Sequence, residues 1–216
     1  MKKFLVGLLA FFGTLCSVAV FVYTGYYIGK ETTEYKEILV STTAESTGVT
    51  APVEVEEAKR AVDEMAVFQK FTADYWEQGL SFSQIEGILN ELAVIIAYDL
   101  ELESTPTVKA IYDKSVTYFG VYKPDSHIIQ LNYYKIFQSS KPEMESVETL
   151  SHELRHDFQR ERYDAGLRTP LECSWSNYKT IEEDGFNAYY TQLCEKDARA
   201  YATFFRNYFE SLITNY

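Results

Sequence analysis

Histidine is scarce in this chain of 216 residues, with three in all, yet two of them stand four apart in "ETLSHELRHDFQRERY", Glu148 to Tyr163. A glutamate directly follows the first. Around them Val147, Leu150, Leu154 and Phe158 recur at three- and four-residue steps after Pro142, which predicts a helix with one apolar face. On such a helix His152 and His156, at i and i+4, lie one above the other on a neighbouring face, so both imidazoles can reach one ion. Neutral imidazole suits Zn2+, and a carboxylate one position after the first histidine projects beside the metal, where it can hold and deprotonate a water. That carboxylate is Glu153. The competing reading is a solvated helix whose histidines pair with Glu148 or Asp157.

Two histidines leave a catalytic zinc one protein ligand short. The stretch "CEKDARAYATFF" offers Glu195 on a helix shared with apolar Tyr201, Ala202 and Phe205, far enough after His156 for the first helix to end and a second to return. Glu183 and Asp184 are the next carboxylates to consider. "HELRH" followed by "EKDARAYA" resembles the zincin metallopeptidases of the glutamate-ligand type, the gluzincins, and also small bacterial and phage-associated zincin-like proteins. The resemblance spans about residues 108–205, including a small sheet whose edge strand lines the cleft in that fold. It implies His152, His156 and Glu195 as zinc ligands, Glu153 as general base, and Asp197 as the acceptor behind a ligand histidine. The plain alternative for Asp197 is a first-turn helix residue favoured by the helix dipole. The family usually adds a histidine or tyrosine that polarises the scissile carbonyl, and no motif marks it here. Tyr163, Tyr189 and Tyr190 qualify by type, among 18 tyrosines, and Arg155 is either a further donor or a surface charge.

The activity implied is zinc-dependent hydrolysis of peptide bonds in a protein or peptide substrate, with Glu153 moving the proton from the attacking water to the leaving amine. A reading of a different class is a membrane-tethered interaction protein that keeps a zincin-like fold and cleaves nothing. A net charge of −12 excludes a nucleic-acid surface, because no segment clusters Lys and Arg.

The elements that must position these residues are legible in outline. A chain with 46% hydrophobic and 16% aromatic residues can bury one core, with accessories. Val55, Ala58, Val62, Met65, Phe68, Phe71, Tyr75 and Trp76 predict a helix that Gly79 stops. A second helix follows, with Ser83 and Glu86 at capping-box spacing and Ile85, Leu89, Leu92, Ile96 and Leu100 as its buried face. After Pro106, "VKAIYD", "VTYFGVYK" and "HIIQLNYY" read as strands, the last two joined through a Pro-Asp turn. His127 opens the last strand as an exposed or hydrogen-bonded residue. The fold class is α+β: a zincin-like domain with a small sheet and an active-site helix over 105–216, preceded by a helical scaffold segment over 53–104.

The N-terminus carries no charged residue from Phe4 to Gly29 after Lys2 and Lys3, long enough to cross a bilayer core of ~30 Å. Residues 1–30 read as an uncleaved transmembrane signal anchor, embedded over 4–28. Lysine placement puts the N-terminus in the cytoplasm and the catalytic domain outside the cell membrane. Residues 31–52, rich in Thr, Ser and Glu, read as a flexible stalk. In an oxidising exterior Cys173 and Cys194 are expected to form a disulfide that closes the loop before Glu195.

Overall fold

The structure, a computed structural model, describes residues 64–214. The membrane segment expected over 4–28, the stalk over 31–52 and the start of the first expected helix lie outside those residues. No helix among the described residues is long and apolar enough to cross a membrane. Among the described residues, those from Val67 onward form one compact unit, which carries the sheet and three long helices.

The helix expected to run toward Gly79 is interrupted. Gln69–Phe71 form a single 3-10 turn, Thr72 is extended with ψ 151°, and α1 (Ala73–Trp76) starts afresh. Phe71 and Trp76 both enter the core, and five positions along one continuous helix would separate them by about 140°. The break lets both turn inward. The Trp76 indole N–H donates to the Lys70 carbonyl at 2.9 Å and closes the corner.

α2 (Phe82–Asp99) is capped two residues earlier than its sequence suggests, by Ser81 and Gln84 rather than Ser83 and Glu86. Ser81 accepts from the Gln84 N–H, and the Gln84 side chain accepts in return from the Ser81 N–H at 3.0 Å. Ile85, Leu89, Leu92, Ile96 and Leu100 are buried, as the periodicity requires. Glu86, freed from capping, accepts from the Ala110 N–H at 3.0 Å, while Asn90 bonds both the N–H and the carbonyl of Val108 at 2.9 and 3.0 Å. Two helix side chains thus occupy the outer edge of β1 (Thr107–Ile111), where another strand would otherwise pair.

β2 (Gly120–Lys123) and β3 (Ile128–Asn132) complete a three-stranded mixed sheet of order β1-β3-β2. β3 runs parallel to β1 and antiparallel to β2, so β2 is the second edge. Val108, Ile129 and Tyr122 stand opposite one another across the three strands, and all three are buried. Side chains in one row share a face, and this face meets the helices. The Pro-Asp turn is one 3-10 turn, Pro124–Ser126, after which His127 adopts a left-handed φ of 51°.

α3 (Tyr133–Ile136) leads to the long α4 (Pro142–Asp164), which Pro142 starts in a position where the missing N–H costs nothing. Three short helices follow, α5 (Pro170–Ser176), α6 (Ile181–Asp184) and α7 (Phe186–Thr191), before α8 (Leu193–Thr214) returns along α4. Tyr201, Ala202, Phe205 and Phe209 form the buried stripe of α8, and Phe209 meets Phe71 edge to face at 5.5 Å. The architecture is α+β, with the sheet and α2 on one flank of α4 and α8 on the other.

α5 is held by a capping box between Thr169 and Glu172, and the buried Glu172 carboxylate also accepts from Arg162 Nε at 2.7 Å. Burial pushes this carboxyl up, but the Thr169 hydroxyl and the Arg162 guanidinium together hold it below its ordinary range. Its folded pKa being depressed, its stabilisation is full above the unfolded pKa and is lost as pH falls through the folded one. Glu172→Gln is expected to cost about 1–3 kcal/mol at neutral pH and to flatten the acid limb of the stability curve below about pH 4.5. Urea denaturation of both proteins between pH 3 and 7 checks this.

Candidate metal centre

α4 presents His152 and His156 on one face, and the first turn of α8 brings Glu195 against them. The two Nε2 atoms lie 3.0 Å apart. Glu195 Oε1 lies 3.1 Å from His156 Nε2, and Oε2 lies 3.4 Å from His152 Nε2. Metal bonds of ~2.0–2.1 Å at the tetrahedral angle set neighbouring donors about 3.3–3.4 Å apart, so the spacing fits one small ion touching all three residues. The three can hold a metal ion. Side-chain exposure is 6% for His156, 1% for Glu195 and 17% for His152, so the site opens past His152.

Electrostatics favour a cation here. Burial alone would raise the Glu195 carboxyl, but hydrogen bonds from His152 and His156, and the charge of those rings, hold it far below the usual carboxylate range. Burial disfavours charge on His156, yet Glu195, then the charge of Glu153 and the hydrogen bond with Gln159, raise its pKa above the ordinary value. A metal ion would replace the proton these groups share.

Glu153 is buried on the same helix, and its Oε2 accepts from the Tyr122 backbone N–H of β2 at 2.7 Å. The edge strand therefore fixes the carboxylate. Gly120 permits this approach: a Cβ there would stand 2.5 Å from Thr149 Cγ2 and 3.1 Å from Glu153 Oε1. Gly120→Ala is expected to destabilise by about 1–3 kcal/mol and to shift Glu153, because β2 must move off α4. Chemical denaturation measures the first effect, and the NMR shift of the Tyr122 amide, which donates to Glu153, the second.

The alternative pairings for the histidines are taken up elsewhere. Glu148 pairs with Arg206, and Asp157 accepts from the Tyr122 hydroxyl at 2.5 Å and bonds His127 Nε2 at 3.0 Å. His127 thus flanks the helix one residue from His156 and stands outside the three-residue donor group. Glu183 and Asp184 are exposed on α6, where Asp184 pairs with Lys179.

Asp197 does not bond a ligand histidine itself. It accepts from Arg155 Nε and Nη2 at 2.7 and 3.2 Å and from Gln159 Nε2 at 2.8 Å, and Gln159 in turn meets His156. Arg155, expected as a surface charge or oxyanion donor, is 5% exposed and committed to this ion pair.

Of the tyrosines, Tyr163 lies under the Arg168 guanidinium and Tyr190 under that of Arg199. Tyr189 does face the centre, where burial and then the charges of Glu195 and Glu153 raise its pKa. The phenol that reaches a ligand is Tyr178, which no motif marked: its hydroxyl donates to Glu195 Oε1 at 2.5 Å. Burial, then the charge of Glu195 and the hydrogen bond to it, keep Tyr178 protonated throughout the physiological range. Trp175 and Tyr178 lie 5.6 and 6.2 Å from the His156 ring and form an aromatic wall with Tyr189.

The expected disulfide is not formed: Cys173 is exposed, Cys194 is buried, and both are free. Neighbouring residues on a helix point about 100° apart, and it is Ser174 that turns toward Cys194, its hydroxyl 3.4 Å from the sulfur. Cys173 faces the Arg168 carbonyl instead.

No known family model, curated protein or solved structure matches the chain.

Proposed function

We propose that the chain is a zinc-dependent peptidase of the zincin type, anchored in the cell membrane through residues 4–28, that hydrolyses proteins or peptides outside it. The observation that carries this reading is the convergence of His152, His156 and Glu195, whose ligand atoms lie within 4.8 Å of one another, with Glu153 beside them on the same helix. One carboxylate and two imidazoles match the donor preference of zinc and leave a fourth position open. When bound, zinc would polarise a carbonyl and make water more acidic.

The remaining chemistry belongs to the chain. Glu153 takes a proton from the attacking water and delivers it to the leaving amine, its geometry held by the Tyr122 N–H. The Tyr178 phenol, protonated and donating to Glu195, would turn that one O–H to the developing oxyanion once the Glu195 oxygens are taken up by the metal. β2 is an edge strand next to Glu153, and its Tyr122 N–H serves that carboxylate.

The test is cleavage of a diverse peptide library by the purified full chain, with zinc and with a chelator. Zinc-dependent products that chelation abolishes are expected, and Tyr178→Phe, assayed at saturating zinc because it also loses the bond to Glu195, should lower kcat by about 10²–10³-fold. A chain that binds zinc and cuts nothing would overturn the peptidase reading in favour of a tethered interaction protein.

A further inference from the structure

Gln159 lies on α4 one turn after His156, is fully buried, and uses both ends of its amide. Its Nε2 donates to the Cys194 carbonyl at 2.9 Å and to Asp197 Oδ2 at 2.8 Å, while its Oε1 faces His156 Nδ1 at 2.9 Å. Two pure acceptors on one side identify that end as the NH2, so the oxygen faces the imidazole. An amide oxygen only accepts. His156 therefore carries a proton on Nδ1 and turns Nε2 toward His152 and Glu195 as the coordinating nitrogen. Asp197 cannot swing away, because Arg155 grips both its oxygens. Cys194, whose carbonyl Gln159 holds, directly precedes Glu195.

We propose that Gln159 is the positioning residue of the metal centre: one amide fixes the tautomer of the α4 ligand His156 and ties it to the backbone that presents the α8 ligand Glu195. This rests on the metal-centre reading above. Gln159 touches no substrate and acts only through the two ligands. The partners behind metal ligands are worth 10–100-fold in affinity in metal sites generally.

Zinc affinity of the full chain is measured by competition with a fluorescent chelator. Gln159→Met, which keeps length and packing but forms none of the three hydrogen bonds, is expected to weaken zinc by about 10–100-fold. In the zinc-loaded wild type the His156 ring nitrogens should give one NMR pair, and in Gln159→Met more than one. Tyr133→Phe is the control for general destabilisation, since it deletes a buried hydrogen bond to Ser146 at the start of α4, 2.9 Å long, and should leave zinc affinity unchanged. Gln159→Glu sets a second carboxylate against Asp197 and should lose as much affinity as Gln159→Met.

If Gln159→Met does not fold, Gln159→Asn, too short to span His156 and Cys194 together, reads the same quantity. Affinity within about threefold of wild type in these variants, or an equal loss in Tyr133→Phe, overturns the inference while leaving the metal centre standing. A wild-type chain that takes up no zinc overturns both.

Discussion

Glu153→Gln is expected to keep the fold and the metal and to lower hydrolysis by about 10²–10⁴-fold. The amide has the shape of the carboxylate, and its oxygen can still accept the Tyr122 N–H that holds Glu153 at 2.7 Å. Only the basic lone pair disappears. Because Glu153 is 6% exposed and wedged between α4 and β2, a smaller residue would leave a gap and confuse base removal with misfolding. Glu153→Gln avoids that ambiguity. Initial rates on a cleavable peptide, normalised to bound zinc, measure the effect; cleavage at the wild-type rate would remove Glu153 from the mechanism.

Removing the carboxylate of the ligand set is expected to strike stability and metal binding together. Glu195 is 1% exposed and is faced by His152, His156, the Tyr178 hydroxyl and Arg199. Glu195→Ala leaves all four without their shared acceptor, a loss of about 3–5 kcal/mol for breaking a buried charge cluster. Zinc content should fall from about one per chain to near zero, since two imidazoles alone leave the ion short of protein ligands. In the wild type, zinc at a thousand times its Kd should stabilise the fold by about 4 kcal/mol, and a chelator should reverse that. Glu195→Ala should melt at the same temperature with and without chelator. Elemental analysis and paired melting curves check both; full zinc occupancy in the variant would strike Glu195 from the ligand set. The sign of the pH dependence follows from His156, whose raised pKa makes protons competitors for Nε2. Wild-type zinc affinity should therefore fall as pH is lowered through that pKa and recover above it.

Much of the site was legible along the chain because it is local. Four residues make one helical turn, so the HELRH spacing alone stacks His152 over His156 and sets Glu153 beside them. The same local logic marked the buried face of α2, the hairpin through Pro124, and the helix carrying Glu195. Gln159 had a signal too: it stands three positions after His156, within reach along the helix, but glutamine on a helix is too common to single out.

Which residues meet across elements was decided only by packing. Arg155 and Asp197 stand 42 positions apart, and nothing in the spelling of either segment foretold a buried ion pair. Tyr178 reaches Glu195 because the short helices after α4 fold back over the centre, while Tyr163 and Tyr190 turn to arginines. Cys173 misses Cys194 by one residue of helical rotation. The helix before Gly79 breaks at Thr72 because Phe71 and Trp76 must both bury their rings. Periodicity specifies which side chains share a face within one element, because backbone geometry repeats. The distance between two elements depends on how their side chains interlock, a property of the whole core that no single stretch of sequence contains.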